Sequence, residues 1–185
     1  WDGPTSDSER VRHGMGLIQR KIRPDIEISR SQLTKAAIEH RIDHYYIPYH
    51  TALEELITSM HKSYGKTLHF NVHSTPSAML NGRGYPDIII GDRKGQTCSR
   101  DFRNAVVHFL AEQGLSVAVN EPYQGVEIIR RHSDPGQGRH ALQIEINKAL
   151  YMNETTLEKT PQFQPLQSLL AEMTAHISQV VEADR

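Results

Sequence analysis

Residues 87–91 read DIIIG, a short apolar run between an aspartate and a glycine. Runs of this kind are typical of strands that are buried on both faces. Ser99 can cap a helix that continues to about Gln113, where Gly114 ends it. Residues 115–120, LSVAVN, then read as a second strand. The order strand, helix, strand predicts a βαβ unit with parallel strands and a right-handed crossover.

A long helical pattern precedes this unit, and another follows it. Apolar residues recur at helical spacing over residues 31–65, and Pro48 interrupts the stripe. Proline removes a backbone donor and crowds the preceding turn, so we expect a kink near Ile47 or two helices that meet there. An amphipathic pattern over residues 163–181 predicts the final helix. Together with the strands, these helices predict a single α/β domain over residues 1–185.

Charge and composition argue against several classes of partner. The 185 residues include 21 Lys plus Arg and 22 Asp plus Glu, so a net charge of −1 creates no whole-chain field that attracts phosphates or anionic lipid. No apolar run is long enough to span a membrane. A single cysteine rules out a disulfide within the chain and favours a reducing, cytoplasmic setting. Nucleic acid and membranes are therefore not expected as partners.

Two further predicted strands each carry a polar residue in an apolar context. Residues 66–72 alternate polar and apolar side chains and lead to His73, after which residues 74–76 read STP instead of the usual glycine or asparagine turn. Residues 141–146, ALQIEI, place Glu145 between two isoleucines. A buried carboxylate is costly unless it is paired, hydrogen-bonded or coordinated to a metal. Glu145 therefore needs a physical reason for its position.

Each of these polar residues also has an interpretation without a function. If the isoleucines of residues 141–146 face the core, Glu145 shares the opposite face with Gln143 and Asn147, and that face can simply be solvated. His73 can be a hydrogen-bonded histidine at the end of a strand. The pattern alone leaves both interpretations open.

One cysteine and three arginines are further candidates. Cys98 precedes a helix start, which can lower the pKa of a thiol, so a nucleophile is one interpretation and a small packing residue is the other. Arg83 lies in a glycine-flanked loop, and Arg130 and Arg131 precede the loop HSDPGQGRH. Loops at strand ends often bind ligands in α/β folds, and a guanidinium binds a carboxylate through two hydrogen bonds. A solvated arginine is the alternative for each.

Six stretches of the sequence occur in a fixed order. They are YIPYHTAL (46–53), NVHSTPS (71–77), GRGYPDIIIGDRKGQTC (82–98), VAVNEPYQG (117–125), RRH (130–132) and HALQIEINKALYMNE (140–154). Together they resemble the N-formylglutamate amidohydrolase family. The resemblance spans residues 10–154, and its specificity comes from the combination, because any one stretch alone is a weak signal.

The resemblance implies a fold and a set of roles. The family is similar to zinc carboxypeptidases, with a mixed, partly parallel central sheet flanked by helices and the metal at strand ends. By that likeness His73 is the last of three zinc ligands, so its strand is expected to stop there, and Glu145 is the general base. Arg83 or Arg131 would hold a substrate carboxylate. The family's first two ligands belong to an N-terminal histidine-containing motif and an acid soon after it. Nothing before His73 matches them, so we expect both upstream of Trp1.

The implied reaction is zinc-dependent hydrolysis of the amide bond of an N-formyl or N-acyl amino acid such as N-formylglutamate. The products would be formate and the free amino acid. One alternative is an amidase for another N-acyl amino acid on the same fold. Another is a metal-free interaction domain that uses the exposed side of the helical segment over residues 31–65. The mechanism needs no thiol, so Cys98 is expected to be structural.

Overall fold

The computed structural model describes residues 16–23, 26–28, 33–78 and 84–183. Contacts between residues divide the chain into two compact units, residues 1–55 and 56–185. The first unit contains a short antiparallel pair, β1 (Lys21–Arg23) and β2 (Ile26–Glu27), followed by helical residues.

The helical segment consists of two α-helices joined by a π-helical turn. Helix α1 covers Lys35–Arg41, the π turn covers Ile42–Tyr46, and α2 covers Ile47–Tyr64. The π turn ends at Tyr46, two residues before Pro48, which has no backbone N–H to continue the α pattern. Proline and π turns are both common causes of interruptions in helices. The predicted interruption near Ile47 is therefore confirmed in the form of two helices that meet there.

The second unit holds the main sheet and its helices. Gly65, at φ 75°, ends α2 in the left-handed conformation that glycine adopts without strain. The remaining elements are β3 (Thr67–Thr75), β4 (Ile88–Gly91), α3 (Arg100–Glu112), β5 (Val117–Val119), α4 (Glu127–Arg131), a 3₁₀ turn (Pro135–Gln137), β6 (Arg139–Asn147), a second 3₁₀ turn (Lys148–Leu150) and α5 (Phe163–Ala183).

The four main strands form one mixed sheet in the order β3-β6-β4-β5. Strands β3 and β6 are parallel, β4 and β6 are antiparallel, and β4 and β5 are parallel across the intervening helix α3. The expectation of a mixed, partly parallel α/β sheet with a parallel strand–helix–strand unit is thereby confirmed. Strand β3 is longer than expected, because its pairing with β6 continues past His73 to Thr75 opposite Asn147.

Helices α3 and α5 cover one face of this sheet. Alternate residues of β4 and β6 point towards these helices, and most of them are apolar, while His140 at the start of β6 packs its ring against Phe102 of α3. The cluster of buried side chains combines Ile88, Ile90, Leu142, Ile144 and Ile146 from the sheet with Phe102, Val106 and Leu110 from α3 and Met173 and Ile177 from α5. The hydrophobic core therefore lies on the helical side of the sheet, and the candidate functional residues lie on the other face.

A fully buried carboxylate, Asp92, ties together the ends of β4, β5 and α3. Its Oδ1 accepts hydrogen bonds from the Gly95 backbone N–H at 2.9 Å and from Asn120 Nδ2 at 2.6 Å. Its Oδ2 accepts from Arg103 Nη1 at 3.1 Å. A buried charge that is paired and hydrogen-bonded in this way is costly to disturb on one side only.

We expect Asp92→Asn to lower the free energy of unfolding by about 3 kcal/mol. The amide nitrogen of the new side chain would face groups that themselves donate hydrogen bonds, and Arg103 would lose its counter-charge. Urea denaturation of the purified protein measures the loss. The control is Glu112→Gln, which removes an exposed ion pair with His108 and should cost less than about 1 kcal/mol. Equal losses in the two variants would contradict the prediction.

Candidate active site

The polar side chains of β3 and β6 lie together on the face of the sheet opposite the helices. In the parallel register, His73 is beside Glu145 and Asn71 is beside Gln143. The antiparallel register with β4 places Gly91 on the other side of Gln143. Neighbours in register point to the same side, so these residues form one polar surface.

This polar surface is buried within β6, which contradicts the interpretation that it is solvated. Gln143 is 2% exposed, Glu145 7% and Asn147 6%. The alternation predicted correctly that the three share a face opposite Ile144 and Ile146. It failed on burial because other parts of the chain cover this face, and each polar side chain consequently needs a partner inside the protein.

Of the side chains on this surface, His73 and Glu145 form the pair with the clearest capacity for a chemical reaction. The distance between His73 Nδ1 and Glu145 Oε1 is 3.8 Å, beyond hydrogen-bonding range but close enough for electrostatic attraction. The imidazole is 42% exposed, whereas the carboxylate side chain is only 9% exposed. Burial raises the pKa of the Glu145 carboxyl, while His73 and a hydrogen bond from Gln143 act in the opposite direction. A half-exposed imidazole thus lies next to a buried carboxylate.

Gln143 connects this carboxylate to the loop between β5 and α4. Its Nε2 donates to Glu145 Oε1 at 2.6 Å. Its Oε1 accepts from the Val126 backbone N–H at 2.9 Å and from Asn71 Nδ2 at 3.4 Å. The amide therefore uses its donor and its acceptor in opposite directions, which makes its side chain a link between two elements.

Two tyrosines and an asparagine border the same site. The hydroxyl oxygens of Tyr85 and Tyr123 lie 2.9 Å apart, and their rings stack with centroids 5.9 Å apart. This hydrogen bond, with partial burial and the negative charges of Tyr85 and Glu145, raises the pKa of Tyr123 to about 12. Asn147 Nδ2 donates to the backbone oxygen of Tyr85 at 3.3 Å. The Tyr123 hydroxyl therefore remains protonated near neutral pH and can donate a hydrogen bond.

The turn after β3 is held by a carboxylate from beyond β6. Glu154 Oε1 accepts a hydrogen bond from the Ser77 backbone N–H at 2.9 Å, and bonding to Ser77 lowers the pKa of Glu154. Pro76 stands between this bond and the end of the strand. The expectation that β3 stops at His73 was wrong by two residues, because the pattern after Val72 is polar while the ladder to β6 continues.

The described ranges were expected to contain one of three zinc ligands. Across residues 16–23, 26–28, 33–78 and 84–183, no group of three or more His, Cys, Asp or Glu side chains could hold a metal ion. A catalytic zinc takes three protein ligands. The described residues therefore do not form a complete zinc site, and His73 is the one predicted ligand that lies among them.

The other candidate residues have different outcomes. Arg131 is exposed at the last residue of α4, a helix that contacts both β3 and β6. Arg83 lies outside the described residues. Cys98 is 1% exposed, and burial followed by the charge of Asp92 raises its pKa to about 12. A thiol in that state is a poor nucleophile, so the packing interpretation fits Cys98.

Sequence reasoning did not identify Gln143 and Tyr123 as residues of this surface. Both occur in the matched stretches, but the alternation of β6 classed Gln143 as solvated, and Tyr123 lies in a loop without periodicity. The available signal for Gln143 was its place two residues before Glu145 on the same strand face. For Tyr123 no local signal existed, since its contact with Tyr85 joins residues 38 positions apart.

Among the described residues, no helix is long and apolar enough to cross a membrane.

Comparison with known proteins gives consistent relatives. The family model of N-formylglutamate amidohydrolase matches residues 3–152. N-formylglutamate deformylases of Pseudomonas putida and Pseudomonas aeruginosa are each 28% identical to the chain, over 118 and 113 residues. The matches cover 62% and 59% of this chain and 44% and 42% of those proteins. The chain thus spans less than half the length of these relatives.

Solved structures agree with these sequence relatives. The crystal structure of N-formylglutamate amidohydrolase from Ralstonia eutropha has a TM-score of 0.89 at 36% identity, covering 100% of this chain and 68% of that one. A protein from Agrobacterium tumefaciens shares the fold, with a TM-score of 0.59 at 23% identity, and covers 80% of this chain and 57% of that chain. Because the family model spans most of the chain and the Ralstonia eutropha structure superposes along all of it, this chain belongs to the N-formylglutamate amidohydrolase family.

Proposed function

We propose that this protein hydrolyses the amide bond of N-formylglutamate in a zinc-dependent reaction that gives formate and glutamate. The observation that carries the proposal is the pairing of a half-exposed imidazole, His73, with a buried carboxylate, Glu145, at matched positions of two parallel strands. The names of the relatives support the choice of reaction and substrate. The single domain over residues 1–185, the carboxypeptidase-like architecture and the cytoplasmic setting stay predictions.

Glu145 is the general base of this proposal. Its carboxylate lies at the bottom of the polar surface, and burial raises its pKa towards the range in which a base works best near neutral pH. It would take a proton from water as the water oxygen attacks the formyl carbon. The same proton would then pass to the departing nitrogen as the C–N bond breaks, which leaves formate and the amino group of glutamate.

His73 is the zinc ligand that this part of the chain would supply. Its ring is half exposed beside a carboxylate, which suits a donor that must reach an ion at the protein surface. When bound, zinc acts as a Lewis acid and makes water acidic enough to react near neutral pH. The remaining ligands would have to come from outside the residues that the structure describes.

Arg83 and Arg131 are the candidates for the substrate carboxylate. Arg131 sits on α4, which contacts both site strands, and its neighbour Arg130 is engaged with Glu127 by two hydrogen bonds of 2.6 and 2.7 Å. A guanidinium that binds a carboxylate in this bidentate manner would select dicarboxylic over neutral substrates.

We expect His73→Ala to lose both stoichiometric zinc and formate release, since a catalytic zinc with one ligand fewer is poorly held. Metal analysis of the purified full-length protein and an assay for formate test this. The control is His108→Ala, an exposed histidine on α3 that pairs with Glu112. Full zinc occupancy and full activity in the His73 variant would remove His73 from the ligand set.

We expect Glu145→Gln to lower kcat for N-formylglutamate by about 10²–10⁴-fold while zinc content stays the same, because the amide keeps the shape but cannot accept the proton. Steady-state kinetics of formate release measure the effect, with Glu112→Gln as the carboxylate control on α3. Near-normal kcat would exclude Glu145 as the base, and loss of zinc would make it a ligand.

We expect alanine at Arg83 or Arg131 to reduce the preference for N-formylglutamate over N-formyl amino acids with neutral side chains. The loss should be about 1.5–3 kcal/mol, the size of a hydrogen bond to a charged group. Ratios of kcat/KM across N-formyl and N-acetyl substrates measure it and also separate a deformylase from a general N-acyl amidase. Arg130→Ala serves as the matched control. Unchanged preference in both variants would place the carboxylate contact elsewhere.

A further inference from the structure

The orientation of the Gln143 amide is determined by its surroundings. The backbone N–H of Val126 can only donate, so the Gln143 atom that it contacts at 2.9 Å must be the acceptor, Oε1. The opposite end of the amide is then Nε2, which donates to Glu145 Oε1 at 2.6 Å. Turning the amide over would set a donor against a donor and an oxygen against a carboxylate. Since the side chain is 2% exposed, water cannot compensate.

The loop that supplies the Val126 N–H can reach Gln143 because Gly91 has no side chain. Gly91 is the β4 partner of Gln143, and a Cβ there would lie 2.7 Å from the Gly125 nitrogen and 2.8 Å from the Gln124 carbonyl carbon. Such distances are shorter than real contacts allow. The loop therefore rests directly on the backbone of β4.

Arg93 fastens this loop in place. Its backbone N–H donates to the Gln124 oxygen at 2.7 Å, and its Nη1 donates to the Gly125 oxygen at 3.1 Å. The loop, the amide and the carboxylate thus form a chain of contacts from Gly91 to Glu145.

Both contacts to the carboxylate fall on the same oxygen. Gln143 Nε2 and the ring of His73 face Glu145 Oε1, and within the described residues no hydrogen bond reaches Oε2. A carboxylate held by one oxygen presents the other in a constant direction. General bases depend on such placement, because proton transfer requires the base to lie within hydrogen-bond reach of the proton that it abstracts.

We infer that Gln143 is a positioning residue, whose amide is oriented by the Val126 N–H and holds Glu145 so that Oε2 faces the reacting water. This inference rests on the proposed role of Glu145 as general base. Gln143 itself touches neither substrate nor water in this assignment, and it acts through Glu145.

The test compares Gln143→Met with the unchanged protein. Methionine has similar length and volume but makes neither hydrogen bond. We expect kcat for formate release to fall about tenfold to a hundredfold, with KM within about threefold and zinc content unchanged, because the base is misplaced while substrate contacts remain. The control is Thr97→Val, which removes a buried hydrogen bond of 2.9 Å to the Ala141 oxygen of the same strand. It should keep kcat within about threefold.

A second variant tests the route through the loop. Gly91→Ala should lower kcat in the same way, because the added methyl group lifts the loop away from Gln143. If both act through the same carboxylate, the double variant should lose no more than the worse single variant. Losses that multiply would overturn the route from Gly91 through Gln143.

Crystal structures of the unchanged and Gln143→Met proteins provide a readout without activity. We expect the Glu145 carboxylate to change rotamer or occupy several in the variant. An unchanged carboxylate position, or a kcat within threefold of normal, overturns the inference. Absence of formate release by the unchanged protein would instead contradict the proposed function, and the crystallographic comparison would still decide whether Gln143 positions Glu145.

Discussion

Strand β6 is enclosed on both edges and both faces, and this enclosure sets the conditions for the rest of the second unit. β3 and β4 pair with its two edges, and every residue from His140 to Asn147 is buried. On the helical face this is favourable, since Leu142, Ile144 and Ile146 meet apolar side chains. On the other face it is costly, because a carboxylate and two amides lose water and must be satisfied by protein atoms.

The hydrogen bonds of the site offset that cost. Gln143 receives the Val126 N–H and gives its own N–H to Glu145, while Asn147 bonds to the backbone of Tyr85. Among the described residues, Glu145 has hydrogen bonds to only one of its two carboxylate oxygens, and it also lies next to the half-exposed His73. A buried group that is only partly satisfied retains the capacity to bind something else, such as a water proton. The stability of the fold and the proposed chemistry therefore depend on the same strand, β6.

The sequence predicted the main helices and strands and the two faces of β6 well, but it did not predict that the polar face of β6 is buried. Period-two alternation identified Gln143, Glu145 and Asn147 as one face because side chains in a strand alternate by geometry alone. Burial of that face depends on a loop that crosses Gly91, and no local pattern around residues 121–126 encodes its path. The pairing of His73 with Glu145 joins positions 72 residues apart, so spacing could not predict it, and the family resemblance implied only a separate role for each residue.

The parallel pairing of β3 with β6 has a consequence for which insertions and deletions this chain can accept. A slip of one residue would set His73 opposite Ile144 or Ile146 and turn every polar side chain of one strand towards the helices. A single inserted residue within 67–75 or 139–147 would therefore abolish the site even if the sheet still formed. The exposed turn at residues 155–158 lies outside the β3–β6 ladder, so length changes there leave that register intact. Variation in length among functional variants of this protein should accordingly be confined to such turns, while both strands keep nine residues.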